Sequence, residues 1–486
     1  IRDRIEAGPV ATAKNGSYED ESARAGIIGR IKYDYASKYV VEASIRYDGS
    51  DLFPKGKRWG AFYSGSAAWV LSEESFWQTL KDKHIFDQFK IRGSYGEIGL
   101  DNIDRYSYLS SYTPSERGYL IDGSFVPGFS EGAMVSKDIT WYTSKSMNIG
   151  FDFGSLNNRL SGSVDYFRMA TTGYLASPSN VGYTGPLGTS LPNVKTNGES
   201  IRQGAEFILQ WKEKRGDFEY VVSGNLTYFD SFYNINPFES EVNLKNPYIR
   251  STQAKGYWGT GLTSLGYYSS QEDVMNSAKR PGSVNLGAGD IKYQDFNGDG
   301  IIDGSDNHRI GKNGFPRCNY GINVDLNYKG WFLNMLWQGA TQNDLYMGNM
   351  IQGDASSGYL PVIYKFQSDT WTPSNTDSRY PRLRSSKTYN GNNNYQQSDF
   401  WLVNAAYIRL KNLSVGYDFK NRLLKRTAWL TKCNLALSGY NLLTFSPASK
   451  FGMDPEIGNG NLYTYPVSRV YLSLIHISEP TRRTPI

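Results

Sequence analysis

The stretch Asp295-Phe296-Asn297-Gly298-Asp299-Gly300-Ile301-Ile302-Asp303-Gly304-Ser305-Asp306 holds the densest chemistry in the sequence. Oxygen donors recur at its first, third, fifth, ninth and twelfth positions, which is the D-x-[DN]-x-[DN]-G spacing of a calcium loop. Asp295, Asn297 and Asp299 offer side-chain oxygens, Ile301 its carbonyl, and Asp303 and Asp306 further carboxylates. Gly300 permits the sharp turn such a loop makes. Asp306 stands where a calcium loop usually carries a bidentate Glu, so its shorter reach predicts weak binding, of the kind that fills in extracellular medium. No helical pattern flanks the loop. The expectation is a structural cation rather than a catalytic cofactor, against the plainer reading of an Asx-rich turn without metal.

Other reactive constellations lack parts. There are three histidines, His84, His308 and His476, and no nucleophile motif accompanies His84 or His308. A Ser/His/Asp-type site needs both. Cys318 and Cys433 lie far apart inside strand-like patterns, which fits neither a zinc site nor a disulfide framework. The 52 basic and 47 acidic residues leave a net charge of +5, too even to argue for nucleic acid. The chain is expected to be no enzyme.

The elements that would carry these residues are strands. Period-two alternation runs through Tyr39, Val41, Ala43, Ile45 and Tyr47, with Glu42, Ser44, Arg46 and Asp48 between them. It recurs in Met147, Ile149, Phe151 and Phe153, in Phe218 to Tyr228, and in Ile322, Val324, Leu326 and Tyr328. Thirteen strands are predicted, at 25–35, 39–48, 60–71, 87–97, 140–154, 159–173, 203–213, 218–229, 315–328, 331–341, 402–418, 431–445 and 466–474. Several have about the ten residues with which a tilted strand crosses a bilayer.

Their connections alternate in length. Tight links fall at Ala36-Ser37-Lys38, Asn157-Asn158, Lys214-Arg215-Gly216-Asp217 and Lys329-Gly330, with short helical turns expected at 73–86 and 419–430. Between them lie a shorter loop at 49–59 and long loops at 98–139, 174–202, 230–314, 342–401 and 446–465. Short turns on one side and long loops on the other mark an outer-membrane β-barrel, with periplasmic and extracellular ends. A soluble secreted carbohydrate-binding β-protein has no reason to sort its loops by strand parity. The mean hydropathy of −0.52 is compatible with a barrel, because only one strand face meets lipid. No run of 18 apolar residues occurs, so no transmembrane helix is expected. Tyr33, Tyr35, Trp211, Phe218, Tyr328 and Trp331 cluster where strands meet turns, as an interfacial girdle would. An odd strand count leaves two unpaired edges that lipid cannot satisfy, so further strands are expected upstream.

The long loops supply candidate substrate contacts in Tyr257, Trp258, Tyr267, Tyr268 and Tyr395, the last beside Asn392-Asn393-Asn394. Aromatic faces with amide and carboxylate donors suit a sugar or a peptide; ordinary loop packing explains the same residues. The basic run Lys55-Gly56-Lys57-Arg58 suits either an anionic lipopolysaccharide headgroup or a solvated loop. An outer-membrane barrel enzyme is the remaining alternative, and it wants the nucleophile–histidine pairing that is missing above.

Several strings carry a family resemblance. RYDGSDLFPKGKRWGAFYSGSAAWVLSEESFW (Arg46 to Trp77) and FKIRGSYGEIG (Phe89 to Gly99) are followed in order by GDIKYQDFNGDGIID (Gly289 to Asp303), AAYIRLKNLSVGY (Ala405 to Tyr417), GYNLLTFS (Gly439 to Ser446), GMDPE (Gly452 to Glu456) and YPVSR (Tyr465 to Arg469). Together they resemble the SusC/RagA family of TonB-linked outer-membrane proteins across nearly the whole chain. The resemblance implies a 22-stranded barrel with an N-terminal plug, energy from the TonB complex, a SusD-like lipoprotein lid, and glycan or peptide cargo. It places this chain in the C-terminal part of that barrel, with the plug, the TonB box and the early strands upstream. Residues 1–24 then read as loop and 25–471 as barrel. From Leu472 the residues LSLIHISEPTR resemble a translated sequencing adapter and leave the strand pattern, so 472–486 are expected to be non-native.

Overall fold

Thirteen antiparallel strands form one sheet in sequence order in this computed structural model. It describes residues 20–478 apart from 133, 177, 179–190, 348–368, 387, 421–422, 428–429 and 458–466. The wall strands are β1 (Arg24–Tyr35), β2 (Tyr39–Ser50), β3 (Trp59–Val70), β4 (Gln88–Leu100), β5 (Tyr142–Ser155), β6 (Leu160–Thr172) and β7 (Glu199–Arg215). They continue as β8 (Phe218–Ile235), β9 (Cys318–Tyr328), β10 (Trp331–Thr341), β11 (Tyr407–Asp418), β12 (Lys432–Phe445) and β13 (Val470–Ser478). Each pairs only with its sequence neighbours in the sheet, so β1 and β13 are its edges. The fold is an antiparallel, all-β barrel wall, and all thirteen predicted strands are present in it.

The register explains the alternation. Gly93 pairs with Ile149, Ile149 with Tyr166, Tyr166 with Ala205 and Ala205 with Tyr228. Further round, Val222 faces Val324, Val324 faces Met335, Leu333 faces Val415 and Val415 faces Leu437. These residues share the outer face, and Ile149 and Leu437 are 53% and 63% exposed. Burying one such side chain is worth about 1.5–3 kcal/mol. A face built from dozens of them is not a water-facing surface.

The opposite face is polar. Arg92 pairs across with Gly150, which faces Asp165, which faces Glu206. The Arg92 guanidinium donates to Asp165 at 2.5 Å and reaches Asp152 at 3.2 Å, while Lys90 meets Asp152 at 2.7 Å. This is the lumen side.

The short-turn end carries stacked aromatic rings. Tyr35, Tyr39 and Trp69 stack in sequence at 6.5 and 6.3 Å, Phe218 meets Tyr328 at 6.3 Å, and Trp331 meets Tyr417 at 5.1 Å. The expected helical turn before β4 is real, with Gln78–Asp82 an α-helix after two short 3-10 turns. The link before β12 contains turns and no helix among its described residues.

Five further details depart from the sequence reading. β7 and β8 reach 17 and 18 residues, longer than a bilayer needs, and carry their ends beyond it. β11 starts at Tyr407, because Leu402–Asn404 pairs instead with Asp344–Tyr346 in a separate ribbon. β9 starts at Cys318 rather than 315. The region 98–139, read as loop, contains a hairpin of Tyr112–Ile121 with Ser124–Glu131. Its turn residues Asp122 and Gly123 both have positive φ, at 50° and 77°, as a two-residue hairpin turn demands. Last, β13 continues through Ser478, so backbone pairing does not stop at Leu472. On the lumen face Leu472 and Leu474 pair with Ser438 and Ala436, as Val470 does with Tyr440.

Candidate functional site

The long loops are not separate excursions. Segments after β8, β10 and β12 fold together around Leu262, Ile291, Ile302, Leu345, Trp401 and Met453. Ile291 and Trp401 are completely buried. Strand pairs fasten this body locally: Gly259–Gly261 with His308–Ile310, and Ser264–Tyr267 with Ile291–Tyr293. Two polar networks fasten it over long range.

The first centres on Asp290, which is fully buried. Arg384 forms an ion pair with it, the side-chain amides of Asn390 and Asn394 donate at 3.1 and 3.0 Å, and the Gly287 N–H donates at 2.9 Å. A buried carboxylate requires such compensation. The second centres on Arg409, 2% exposed, at the lumen side of β11. It donates twice to Asp454, at 2.8 and 2.7 Å, once to Thr444 at 2.9 Å, and pairs with Glu456. Lys411 and the Tyr407 hydroxyl also donate to Glu456, both at 3.0 Å. Two of the family strings thus meet: the GMDPE carboxylates grip the arginine of AAYIRLKNL.

The Asp-rich loop is one compact unit at the surface of this body. Asp295 accepts from the Gly298 and Gly300 N–H groups, both at 2.7 Å. Asn297 Oδ1 accepts from the Asp299 N–H at 3.0 Å, and Asp299 Oδ1 from the Ile301 N–H at 2.8 Å. Asp303 caps the short turn Gly304–Asp306, accepting from Ser305 at 2.7 Å. Asp306, 1% exposed, closes the loop by accepting from Phe296, Asn297 and Asp303 N–H groups. Gly298 and Gly300 have φ of 77° and 85°, which these turns need. All six sequence-predicted residues therefore lie in one loop. Among the described residues, no three His, Cys, Asp or Glu side chains cluster in metal-ligand geometry. The donor set is right for calcium, an oxygen-only set, while each of its four carboxylates already accepts from the loop's own backbone.

Each of the five loop aromatics makes contacts within the loop body. Trp258 stacks on Tyr346 at 4.7 Å, and Arg309 sits 5.2 Å from the Tyr257 ring. Tyr395 lies parallel to Trp401, at 6.2 Å and 5°. Tyr268 is 2% exposed, and burial pushes its hydroxyl up to about 12. Burial likewise raises the Tyr267 hydroxyl, which donates to the Ser378 carbonyl at 3.1 Å. Tyr268 and Tyr395 therefore build the body's core instead of presenting a ring to a ligand, because that body must bury apolar surface of its own. Tyr267 is half-buried and lines a cavity. Within the basic run, Lys57 pairs with Asp138 at 2.5 Å and Arg58 donates to the Phe53 carbonyl at 3.0 Å, while Lys55 is exposed.

His84 and His308 lie at opposite ends. His84, near the short turns, pairs with Asp87 at 2.7 Å. In the loop body the His308 ring stacks on Phe296 at 5.0 Å and shares a 2.6 Å hydrogen bond with the Thr263 hydroxyl. Residues the sequence reading missed are Asp290, Arg384, Arg409, Asp454 and Glu456. The family strings GDIKYQDFNGDGIID, AAYIRLKNLSVGY and GMDPE contain Asp290, Arg409, Asp454 and Glu456, whereas Arg384 lies in none of them.

Comparison with known proteins fits this architecture. The family described as TonB dependent receptor-like, beta-barrel matches residues 3–310. TonB-dependent receptor P3 of Formosa agariphila is 28% identical over 473 residues, which cover 94% of this chain and 44% of the relative. TonB-dependent receptor SusC of Bacteroides thetaiotaomicron is 26% identical over 478 residues, again 94% and 44%. The RagAB peptide importer in its open-open state superposes with a TM-score of 0.72 at 20% identity, over 97% of this chain and 49% of that one. The chain spans less than half the length of these relatives. With more than half of its residues matched by that family, the chain belongs to the TonB-dependent receptor-like β-barrels and resembles SusC and RagA among them.

Proposed function

We propose that this chain forms the C-terminal barrel wall and extracellular loop body of a TonB-dependent importer in the outer membrane of a Gram-negative bacterium. The observation that carries this reading is the outer face: an apolar band continuous across thirteen antiparallel strands, with long loops gathered at one end and short aromatic-rich turns at the other. The edges β1 and β13 join further strands of the complete protein, which closes the barrel. Nothing happens chemically to the cargo. The wall supplies a polar lumen, and the loop body contacts cargo, a glycan or a peptide, together with a SusD-like surface lipoprotein. The TonB complex acts through the part of the protein outside this chain.

The Asp295–Asp306 loop takes a structural calcium in this reading. Asp295, Asn297, Asp299, Ile301, Asp303 and Asp306 would hold it, and it would reinforce the closure of the loop that Asp306 already makes. Calcium adds charge neutralisation and does no chemistry on cargo.

Expression of the complete gene in a strain with and without a working TonB complex tests the importer. Outer-membrane localisation and TonB-dependent growth on one glycan or peptide mixture are expected. A product found soluble in the periplasm or medium, or uptake that ignores TonB, overturns the reading.

A further inference from the structure

Between the strand Ser264–Tyr267 and the segment 371–379 lies a cavity of about 570 Å³, within the size range of small-molecule sites. We propose that it is a subsite for a neutral pyranose unit of a glycan. The inference rests on the importer reading above and narrows its cargo class.

Three features of the lining converge. The first is an aromatic corner. Tyr267 and Phe400 meet edge to face at 5.8 Å and both line the cavity. The Tyr267 hydroxyl is already committed to Ser378, so its ring is what remains to offer. The C–H face of a pyranose is apolar and fits such a corner.

The second feature is Arg379. Its guanidinium carbon sits 5.0 Å from the Phe400 ring and 5.2 Å from the Phe451 ring, which hold it in place. One N–H group donates to the Phe400 carbonyl at 3.0 Å. A guanidinium has five N–H donors, and among the described residues the others have no acceptor and no carboxylate within 4.0 Å. The third feature is Asp377, exposed on the same lining and likewise without a hydrogen bond or ion pair among the described residues. Ser269 and Thr376 add hydroxyls beside it.

Charge decides the ligand. An anionic sugar would suit Arg379 but meet Asp377, with Asp369 also close enough to act on Arg379. A cationic ligand would meet Arg379. A neutral polyol uses both, since its hydroxyls accept from the guanidinium and donate to the carboxylate. A peptide offers N–H and C=O groups too, but its backbone lacks the flat apolar face that the aromatic corner fits.

The test is calorimetric titration of the full-length protein in detergent. The probes are maltohexaose, xylohexaose and mannohexaose, a hexagalacturonate, and a mixed-sequence hexapeptide pool. At least one neutral oligosaccharide should bind. Asp377→Asn should weaken it by about tenfold or more, the scale of one hydrogen bond to a charged group. Lys245→Ala, on an exposed helix elsewhere, should leave it unchanged. Asp377 is exposed, so its variant folds. Binding of hexagalacturonate or peptide alone, binding of none of the probes, or equal affinity in Asp377→Asn overturns the subsite. Growth separates the two claims. TonB-dependent uptake that is indifferent to Asp377→Asn sinks the subsite and leaves the importer, whereas loss of TonB dependence sinks the importer.

Discussion

Replacing Arg409 with Met should release the loop segment that contains Asp454 and Glu456 from the barrel lumen. Arg409 is 2% exposed, and its carboxylate partners retain 21% and 20% exposure. Removing one member of a buried pair costs about 3–5 kcal/mol, because the other charge is left uncompensated. Glu456 keeps Lys411 and the Tyr407 hydroxyl, and both carboxylates keep some water, so the lower end applies, about 3 kcal/mol. That is on the order of a hundredfold in a local opening equilibrium. The assay is amide hydrogen exchange by mass spectrometry on the complete protein. The reporters are the Gly452 and Met453 N–H groups, bonded to Ser449 and Ala448 at 3.1 and 3.2 Å. Arg409→Lys should recover little, since a lysine cannot make the two-pronged contact with Asp454. Asp454→Asn combined with Arg409→Met should add less than it does alone, because the two side chains share one interaction. Exchange at these two amides within about threefold of wild type in Arg409→Met, under 1 kcal/mol, would refute the claim that this network tethers the loop.

Other outcomes follow from the same geometry. Ile149→Lys should impair barrel assembly, at a cost of about 2–4 kcal/mol near mid-membrane, while Asn148→Lys on the lumen face should assemble normally; heat-modifiable mobility on gels distinguishes them. Asp306→Ala orphans three backbone N–H groups and should loosen the Asp-rich loop by about 1–3 kcal/mol, read as faster exchange at Phe296 and Asp303. Calorimetry of the complete protein should detect one weak calcium site that Asp295→Ala with Asp299→Ala abolishes, and no heat in the wild type would remove the cation from the proposal. The Lys292 ammonium, 2.8 Å away, is the largest influence holding the Asp273 carboxyl at about 2, below its usual 3.8. A depressed carboxylate stabilises above its unfolded value and loses that support as pH falls through its folded one, so the helix Gln271–Met275 should loosen between pH 3.8 and about 2 and stay unchanged above that window, as followed by exchange on its amides.

The wall was legible because its cause is local and repeated. Each strand alternates by itself, so thirteen readings could be made independently, and loop-length parity assigned the ends. The Asp122-Gly123 hairpin was missed although its turn signal is present, since Pro114 and the charged pair Glu116-Arg117 interrupt the alternation of its first strand. The Asp-rich loop was legible for the same reason as the strands: its hydrogen bonds run between neighbours in sequence. The loop body was not. Trp401, Ile291 and Met453 come from three different connections, and no periodicity announces that they share a core. That hidden core is why Tyr268 and Tyr395 read as substrate contacts, since an aromatic in a long loop looks alike in sequence whether it faces cargo or packs inward. Arg409 with Asp454 and Glu456 fell between the two cases, visible as strings and invisible as a pair.

The central claim is that these strands are a membrane wall with one lipid face. Nitroxide labels placed singly at residues 147 to 152 of the complete protein in bilayers, probed with oxygen and a nickel chelate, test it most directly. Labels at 147, 149 and 151 should favour oxygen, and those at 148, 150 and 152 the chelate, in strict alternation. Uniform access of the chelate to all six positions would contradict it.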